Sequence, residues 1–457
     1  MQSLKIIGGN SLHGAVSVDG SKNAALPIMA ASIAVSGVTT LRGIPALLDV
    51  ATMIELLISL GVVVQIDSDS QLTISSGKLK TTTASPEIVR RMRAGICVLG
   101  PLLARFGSAQ VALPGGCQIG ARPIDLHLKG LAALGADIRL ENGFIVAKAT
   151  KLRGSDIQLS GPSGSTVTGT CNVMVAAATA SGKTVIQSAA CEPEVRDLGN
   201  FLNAAGARVT GHGTSTIEIQ GVDQLSDVAH PVISDRIEAA TLAIAAAITR
   251  SEVLIRNAPL NDLQAVLEAF EQIGVPFRIE STTGSHQLRI LTPQKLNPVS
   301  LTAESFPGLP TDTQAQFSAL LATIPGNSIV TDTIFPERFM HVAELMRMGA
   351  RIELLANVGA ARIQGVPRLH GATVRASDLR ASAALVLAAI AADGVTEILG
   401  VEHLDRGYAS LDRKLNSLGA SISRVNADEL DSRSSVTLNP PHFFVTAPAQ
   451  RMVFRQE

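Results

Sequence analysis

"SLGVVV", residues 59–64, decides how this chain is read, because it returns five more times. Its counterparts are "ALGADI" (133–138), "AAGARV" (204–209), "QIGVPF" (272–277), "RMGARI" (347–352) and "SLGASI" (417–422). In each, an apolar helix-like segment ends at a glycine and an extended run follows. Glycine ends helices this way because it accepts a left-handed backbone without a Cβ clash. The glycines fall at 61, 135, 206, 274, 349 and 419, with spacings of 74, 71, 68, 75 and 70. Val50, Ile54 and Leu57 share one helical face before Gly61, and Ile124, Leu128 and Leu131 share one before Gly135.

A second marker keeps the same period. Ala-rich segments end at Gly37, Gly107, Gly182, Gly326 and Gly394 and pass into strand-like runs. The fourth copy has Ser251 in that place. Each unit of about 70 residues therefore reads as helix, strand, helix, strand, with further strand between copies. Six copies in 457 residues predict an α/β protein of two domains, three units each.

Fourteen residues before each second marker stand Asn23, Arg93, Thr168, Ile237 (beside Arg236), Asp312 and Arg380. Polar or charged groups thus open otherwise apolar helices. Helix N-termini present free N–H groups and a positive dipole end. Capping accounts for Thr168 and Asp312. It does not account for Arg93 or Arg380, since a cation is disfavoured there, so an anionic partner is expected.

Composition narrows the function. The formal net charge is −1, which gives no general pull toward nucleic acid. There is no Trp and one Tyr, so base-stacking platforms are not expected. The most apolar stretch, "ASAALVLAAIAA" from Ala381, is too short to span a bilayer, and "MQSLKIIGGN" lacks a signal-peptide core. Cys97, Cys117, Cys171 and Cys191 form no CxxC pair. His127, His341 and His403 are off metal-ligand spacing, so no metal and no cofactor are expected. A cytoplasmic location fits the few cysteines.

The remaining motifs carry chemistry. In "LPGGCQIGARPIDLH", residues 113–127, the glycine pair and flanking prolines suit a lid. Cys117 there is either a buried core filler or a reactive thiol near Arg122. The other three cysteines read as core. "GSKNAALP" from Gly20 is no Walker loop, yet Lys22 and Asn23 stand where a loop enters a helix. "GLPTDTQAQF" from Gly308 offers Asp312 as cap or general base. "FPERFMH", "SDLRAS" and "HLDRGY" each hold an arginine near a turn or helix start; alone, each could be a surface ion pair.

As an ordered set, "SKNAALP", "PGGCxIGARPxDLH", "VTGTxNVM", "EPEVxDL", "SDRIE", "PTDxQAQF", "ERFMHVxEL", "DLRASAxLVLA" and "HxDRGY" resemble the bacterial UDP-N-acetylglucosamine 1-carboxyvinyltransferase family from about Leu4 to Arg424. The resemblance implies a two-domain inside-out α/β barrel with a cleft between domains. It places residues 22–233 in one domain, with a lid at 113–123, and residues 1–21 plus 234–425 in the other. Residues 426–457 extend beyond the family end. The implied reaction moves enolpyruvyl from phosphoenolpyruvate to the 3′-hydroxyl of UDP-N-acetylglucosamine and releases phosphate, the first committed step of peptidoglycan precursor synthesis.

The resemblance also assigns roles. Lys22, Asn23, Arg122, Arg338, Arg380 and Arg406 match contacts to phosphoenolpyruvate. Cys117 matches the lid cysteine, a proton donor and the site of fosfomycin alkylation. Asp312 matches the base beside the sugar hydroxyl, and Lys22 joins the catalytic set. Asn23, Arg93, Arg122, Pro123, Ile124, Asp125, Leu126, Gly164, Ser165, Thr166, Val167, Asp312 and Ile334 match UDP-sugar contacts. Two other readings compete. A shikimate-3-phosphate enolpyruvyl transferase would share fold and chemistry, but "SKNAALP" and the PGGC loop depart from its pattern. A non-catalytic nucleotide-sugar scaffold should have lost part of the set Lys22, Cys117, Asp312, Arg380 and Arg406.

Overall fold

A computed structural model describes residues 2–67, 70–115, 124–161, 164–282, 285–355 and 358–426. All six repeat glycines lie in the left-handed region, with φ between +87° and +107°. The structure thus builds six equivalent helix ends from six equivalent glycines. The second marker is less uniform. Gly107, Gly182, Gly326 and Gly394 have positive φ, but Gly37 does not. A Cβ at Gly37 would lie 1.6 Å from the Asp227 carboxylate, so close approach selects that glycine. In the fourth copy Arg250, not Ser251, takes the left-handed turn, at φ 54°. The Ser251 hydroxyl accepts the Leu12 backbone N–H at 2.8 Å instead.

Each repeat forms one four-stranded sheet with the same order: a parallel edge strand, a central strand, then two antiparallel strands. In the second repeat these are Thr83–Ala84, Ser108–Ala112, Phe144–Lys148 and Asp137–Glu141. Three sheets borrow strands across the sequence. Val228–Pro231 supplies the parallel edge beside Val38–Arg42 in the first repeat. Gln2–Ile7 sits between Val395–Leu399 and Ser421–Asn426 in the sixth, and His13–Ser17 pairs with Glu252–Arg256 in the fourth. Residues 2–17 therefore belong to the same half as residues 395–426.

The helices that precede the central strand in each repeat are mostly apolar and lie inside. They are Lys22–Ala31, Leu99–Phe106 (entered through the 3-10 turn Arg93–Val98), Val167–Ala178, Arg236–Ile248, Gln314–Leu321 and Leu379–Ala391. Every residue of Arg236–Ile248 is buried. Alanines let these helices pack closely, and a helix with no polar face belongs in a core. Buried apolar side chains gather in two clusters, one within residues 24–232, the other combining 4–18 with 239–422. This is the two-half inside-out α/β barrel, with helices within and sheets outside.

The chain passes between halves at residues 18–21 and 232–235, and the two crossings are paired. Ser21 N–H donates to the Ile233 carbonyl at 2.7 Å, and Asp235 N–H to the Asp19 carbonyl at 2.8 Å. Gly20 bridges Ser234 there. A Cβ at Gly20 would lie 1.8 Å from the Gly43 carbonyl oxygen, so no side chain fits at this crossing.

Candidate active site

The starts of the inner helices carry the charges that the repeat spacing singled out. The caps differ from the expected ones. Ser21 caps Lys22–Ala31, and Thr166, not Thr168, caps Val167–Ala178. Asp235 and Asp378 cap the fourth and sixth helices. Asp312 lies in the 3-10 turn Thr311–Thr313, and its carboxylate is engaged by two arginines. Short hydroxyl and carboxylate side chains two residues upstream of the repeat positions reach the free N–H groups.

Lys22, Asp49 and Arg406 form one cluster across the halves. Lys22 Nζ is 2.8 Å from Asp49 Oδ2, and Arg406 Nε donates to Asp49 Oδ1 at 2.9 Å. Burial opposes the Asp49 charge, but Lys22 and Arg406 outweigh it and hold the carboxyl below the usual range. The Lys22 backbone N–H also donates to Asp235 Oδ2 at 3.3 Å, a second contact between halves. Asn23 is half-buried beside it.

Asp312 stands between Arg338 and Arg380. Arg338 Nη1 donates to Asp312 Oδ1 at 2.7 Å and to Thr311 Oγ1 at 3.1 Å. Arg380 Nη2 donates to Asp312 Oδ2 at 3.3 Å. Both arginines are buried, so the surface-pair reading fails for them. Arg380 Nε and Nη1 are buried and have no hydrogen-bond partner. Burial works against this cation, while Tyr408, Asp312 and Asp235 outweigh it and raise its pKa above the ordinary arginine value. An unfilled guanidinium edge at a helix start is a place for an anion. Ile334 is half-buried, its N–H donating to Asp332 Oδ1 at 3.0 Å.

The first half contributes Arg93 at the start of its 3-10 turn, donating to the Gly115 carbonyl at 3.4 Å. His127 accepts from Asn172 at Nδ1 (2.9 Å) and contacts Thr168 Oγ1 through Nε2 (3.2 Å). Burial, then Arg93, lowers its pKa to about 4, so it is a neutral structural group. Asp125 opens the helix Asp125–Ala133 and is exposed, while Leu126 is buried and Ile124 half-buried. Gly164 and Ser165 pair with Gly161 and Ser160 just before Thr166 and the half-buried Val167. Cys117, Arg122 and Pro123 lie outside the described residues. Cys97 and Cys171 are buried, and burial pushes Cys97 to about 12. Cys191 is only half-buried, so it is not a full core residue.

Three groups escaped the sequence reading. Asp49 looks like an ordinary acid in the first turn of Leu48–Leu60, and only the fold places it beside Arg406. Glu194 receives Arg236 at 3.1 and 3.3 Å, another buried link between halves. Tyr408 lies under Arg380, its ring centroid 5.1 Å from the guanidinium carbon. Among the described residues no cluster of metal-ligating side chains occurs, and no helix is long and apolar enough to cross a membrane.

Known proteins share this architecture. The family described as EPSP synthase (3-phosphoshikimate 1-carboxyvinyltransferase) matches residues 6–415. The chain is 48% identical over 425 residues to a UDP-N-acetylglucosamine 1-carboxyvinyltransferase of Methylacidiphilum infernorum, covering 93% of this chain and 99% of the relative. It is 49% identical over 427 residues to one of Sorangium cellulosum, with the same coverages. The solved enolpyruvyl transferase NikO of Streptomyces tendae aligns at a TM-score of 0.82 and 25% identity, covering 93% of this chain and 98% of that one. EPSP synthase of Acinetobacter baumannii, at 20% identity and a TM-score of 0.71 over 93% of this chain and 100% of that one, shares the fold. The chain belongs to the EPSP synthase family and, within it, to the UDP-N-acetylglucosamine 1-carboxyvinyltransferases.

Proposed function

We propose that the chain transfers enolpyruvyl from phosphoenolpyruvate to the 3′-hydroxyl of UDP-N-acetylglucosamine, at the helix starts between its two halves. Asp312, clasped by Arg338 and Arg380, is the observation that carries the reading. A carboxylate there can accept the hydroxyl proton as the oxygen attacks C2 of phosphoenolpyruvate, while C3 gains a proton. The tetrahedral adduct then loses phosphate from C2 and a proton from C3, which leaves the enol ether. Substrate and adduct both carry a carboxylate and a phosphate, and buried cations suit both.

The division of labour follows the charges. Lys22 and Arg406, joined through Asp49, serve the phosphoenolpyruvate side with Asn23, Arg122 and Arg338. The unfilled edge of Arg380 takes the substrate carboxylate. Cys117, on the loop 113–123, protonates C3 and is the residue that fosfomycin alkylates. Arg93, residues 122–126, residues 164–167, Asn23, Asp312 and Ile334 hold the UDP-sugar. Residues 22–233 act as one domain and 1–21 with 234–426 as the other, since Asn426 still pairs with Gln2, and 427–457 are an extension. The enzyme works in the cytoplasm without a cofactor.

Phosphate release tests the reading. The protein is mixed with phosphoenolpyruvate and either UDP-N-acetylglucosamine or shikimate 3-phosphate. Release with the sugar nucleotide is expected. Release with shikimate 3-phosphate alone would overturn it, and release with neither would make the chain a binding scaffold.

A further inference from the structure

Three inner helices of the second half meet around one hydroxyl. Tyr408 is the sole tyrosine of the chain and is 1% exposed. Its Oη lies 2.9 Å from Thr241 Oγ1, on the helix Arg236–Ile248. Thr241 Oγ1 itself donates to the Ile237 carbonyl at 2.8 Å, so Tyr408 is the donor to Thr241. Gln316, on the helix Gln314–Leu321, donates through Nε2 to Tyr408 Oη at 3.1 Å and to the Asp312 carbonyl at 2.9 Å. The third helix, Leu379–Ala391, brings Arg380 over the Tyr408 ring. One side chain thus touches the helices that carry the fourth, fifth and sixth charged starts.

Arg380 needs such support. It is 1% exposed and its guanidinium meets one carboxylate oxygen through Nη2 alone. A buried cation with two unpaired nitrogens is costly unless something else faces its charge. The Tyr408 ring does so, and its hydroxyl lies near enough to favour the charge as well, while Nε and Nη1 keep no hydrogen-bond partner. A second carboxylate in that place would fill the very donors that an incoming anion requires.

We propose that Tyr408 is the positioning residue for Arg380. Its ring stabilises the guanidinium from beneath and leaves Nε and Nη1 open for the phosphoenolpyruvate carboxylate. Thr241 and Gln316 lock the ring by its hydroxyl, which ties its position to the turn that carries Asp312. The inference rests on Arg380 receiving that carboxylate. Arg380→Ala tests that premise separately: if it leaves the KM for phosphoenolpyruvate unchanged, the premise fails and Tyr408 has nothing to position.

The decisive comparison is Tyr408→Phe against Tyr408→Leu, with KM measured for both substrates. Phenylalanine keeps the ring and should raise the KM for phosphoenolpyruvate by less than about threefold. Leucine removes it and should raise that KM about tenfold, which lies between the values of an exposed and a fully desolvated cation–π contact. The KM for UDP-N-acetylglucosamine should stay within about twofold in both, whereas loosened packing would move both constants together. Equal loss for the two substrates, an unchanged phosphoenolpyruvate KM in the leucine variant, or a phenylalanine variant as impaired as leucine would each overturn the proposal. Should the leucine variant fail to fold, Tyr408→Met decides. It removes the ring while keeping a long apolar side chain and should raise the phosphoenolpyruvate KM alone, by about tenfold; no change would overturn the proposal.

Discussion

The two halves repeat one architecture and finish it differently at the helix starts. In the first half, hydroxyl groups of Ser21 and Thr166 cap two of the inner helices. In the second, Asp235 and Asp378 do so, beside the buried Arg236, Arg338 and Arg380. The second half therefore frames Arg338 and Arg380 with its own Asp312 and Tyr408, while Arg236 pairs with Glu194 of the first half. The first half offers Lys22, whose carboxylate partner Asp49 is shared with Arg406 of the second half. One half is built as a preorganised anvil; the other completes the site by contact across the cleft.

Removing Asp312 should break this contrast most severely. Asp312→Ala takes the acceptor from between Arg338 and Arg380 and should lower turnover by roughly 10²–10⁴-fold, the span of general-base catalysis. The dissociation constant of UDP-N-acetylglucosamine, measured by calorimetry, should change only a few-fold. Near-normal turnover would remove Asp312 as the base and leave it a partner for two arginines.

Acid should affect the halves alike, which sharpens where they do not differ. His127 in the first half and His341 in the second each have a pKa near 4, and burial is the leading cause for both. Each folded value lies below that of a free histidine, so the unfolded chain binds more protons between about pH 6.5 and 4. The stability contributed by the neutral form is complete above about pH 6.5 and is lost as pH falls toward 4. At pH 5 the loss is roughly 2 kcal/mol for each group. Thermal unfolding at pH 7 and pH 5 should show a smaller acid shift for His127→Gln and for His341→Gln than for the parent chain. An unaltered shift in both would place the acid sensitivity elsewhere.

The fold was largely legible because its signals are local and recur. A glycine at each helix end needs only its own backbone, and six copies of it declare six units. The charged starts were legible for the same reason, since Arg93 and Arg380 contradict the dipole at the position where they stand. Their partners were not. Asp49 and Arg406 lie 357 positions apart, and nothing near either announces the other. Tyr408 reads as an ordinary aromatic beside a promising arginine until the helices bring Thr241 and Gln316 to its hydroxyl. The cap expected at Thr168 falls at Thr166, two residues earlier, because spacing locates a helix start less finely than a side chain's reach. Cys117 and Arg122 became assignable through the ordered motif set, not through their immediate neighbours.

The central claim is that cations from both halves serve one substrate. Steady-state kinetics of Lys22→Ala and Arg380→Ala, with each substrate varied, test it most directly. Both variants should lower kcat/KM for phosphoenolpyruvate by about 100-fold or more, as expected when a buried charge-assisted contact is lost. Both should bind UDP-N-acetylglucosamine alone within a few-fold of the parent chain. If either variant impaired only sugar-nucleotide binding and left kcat/KM for phosphoenolpyruvate intact, the halves would serve separate ligands and the shared site would be wrong.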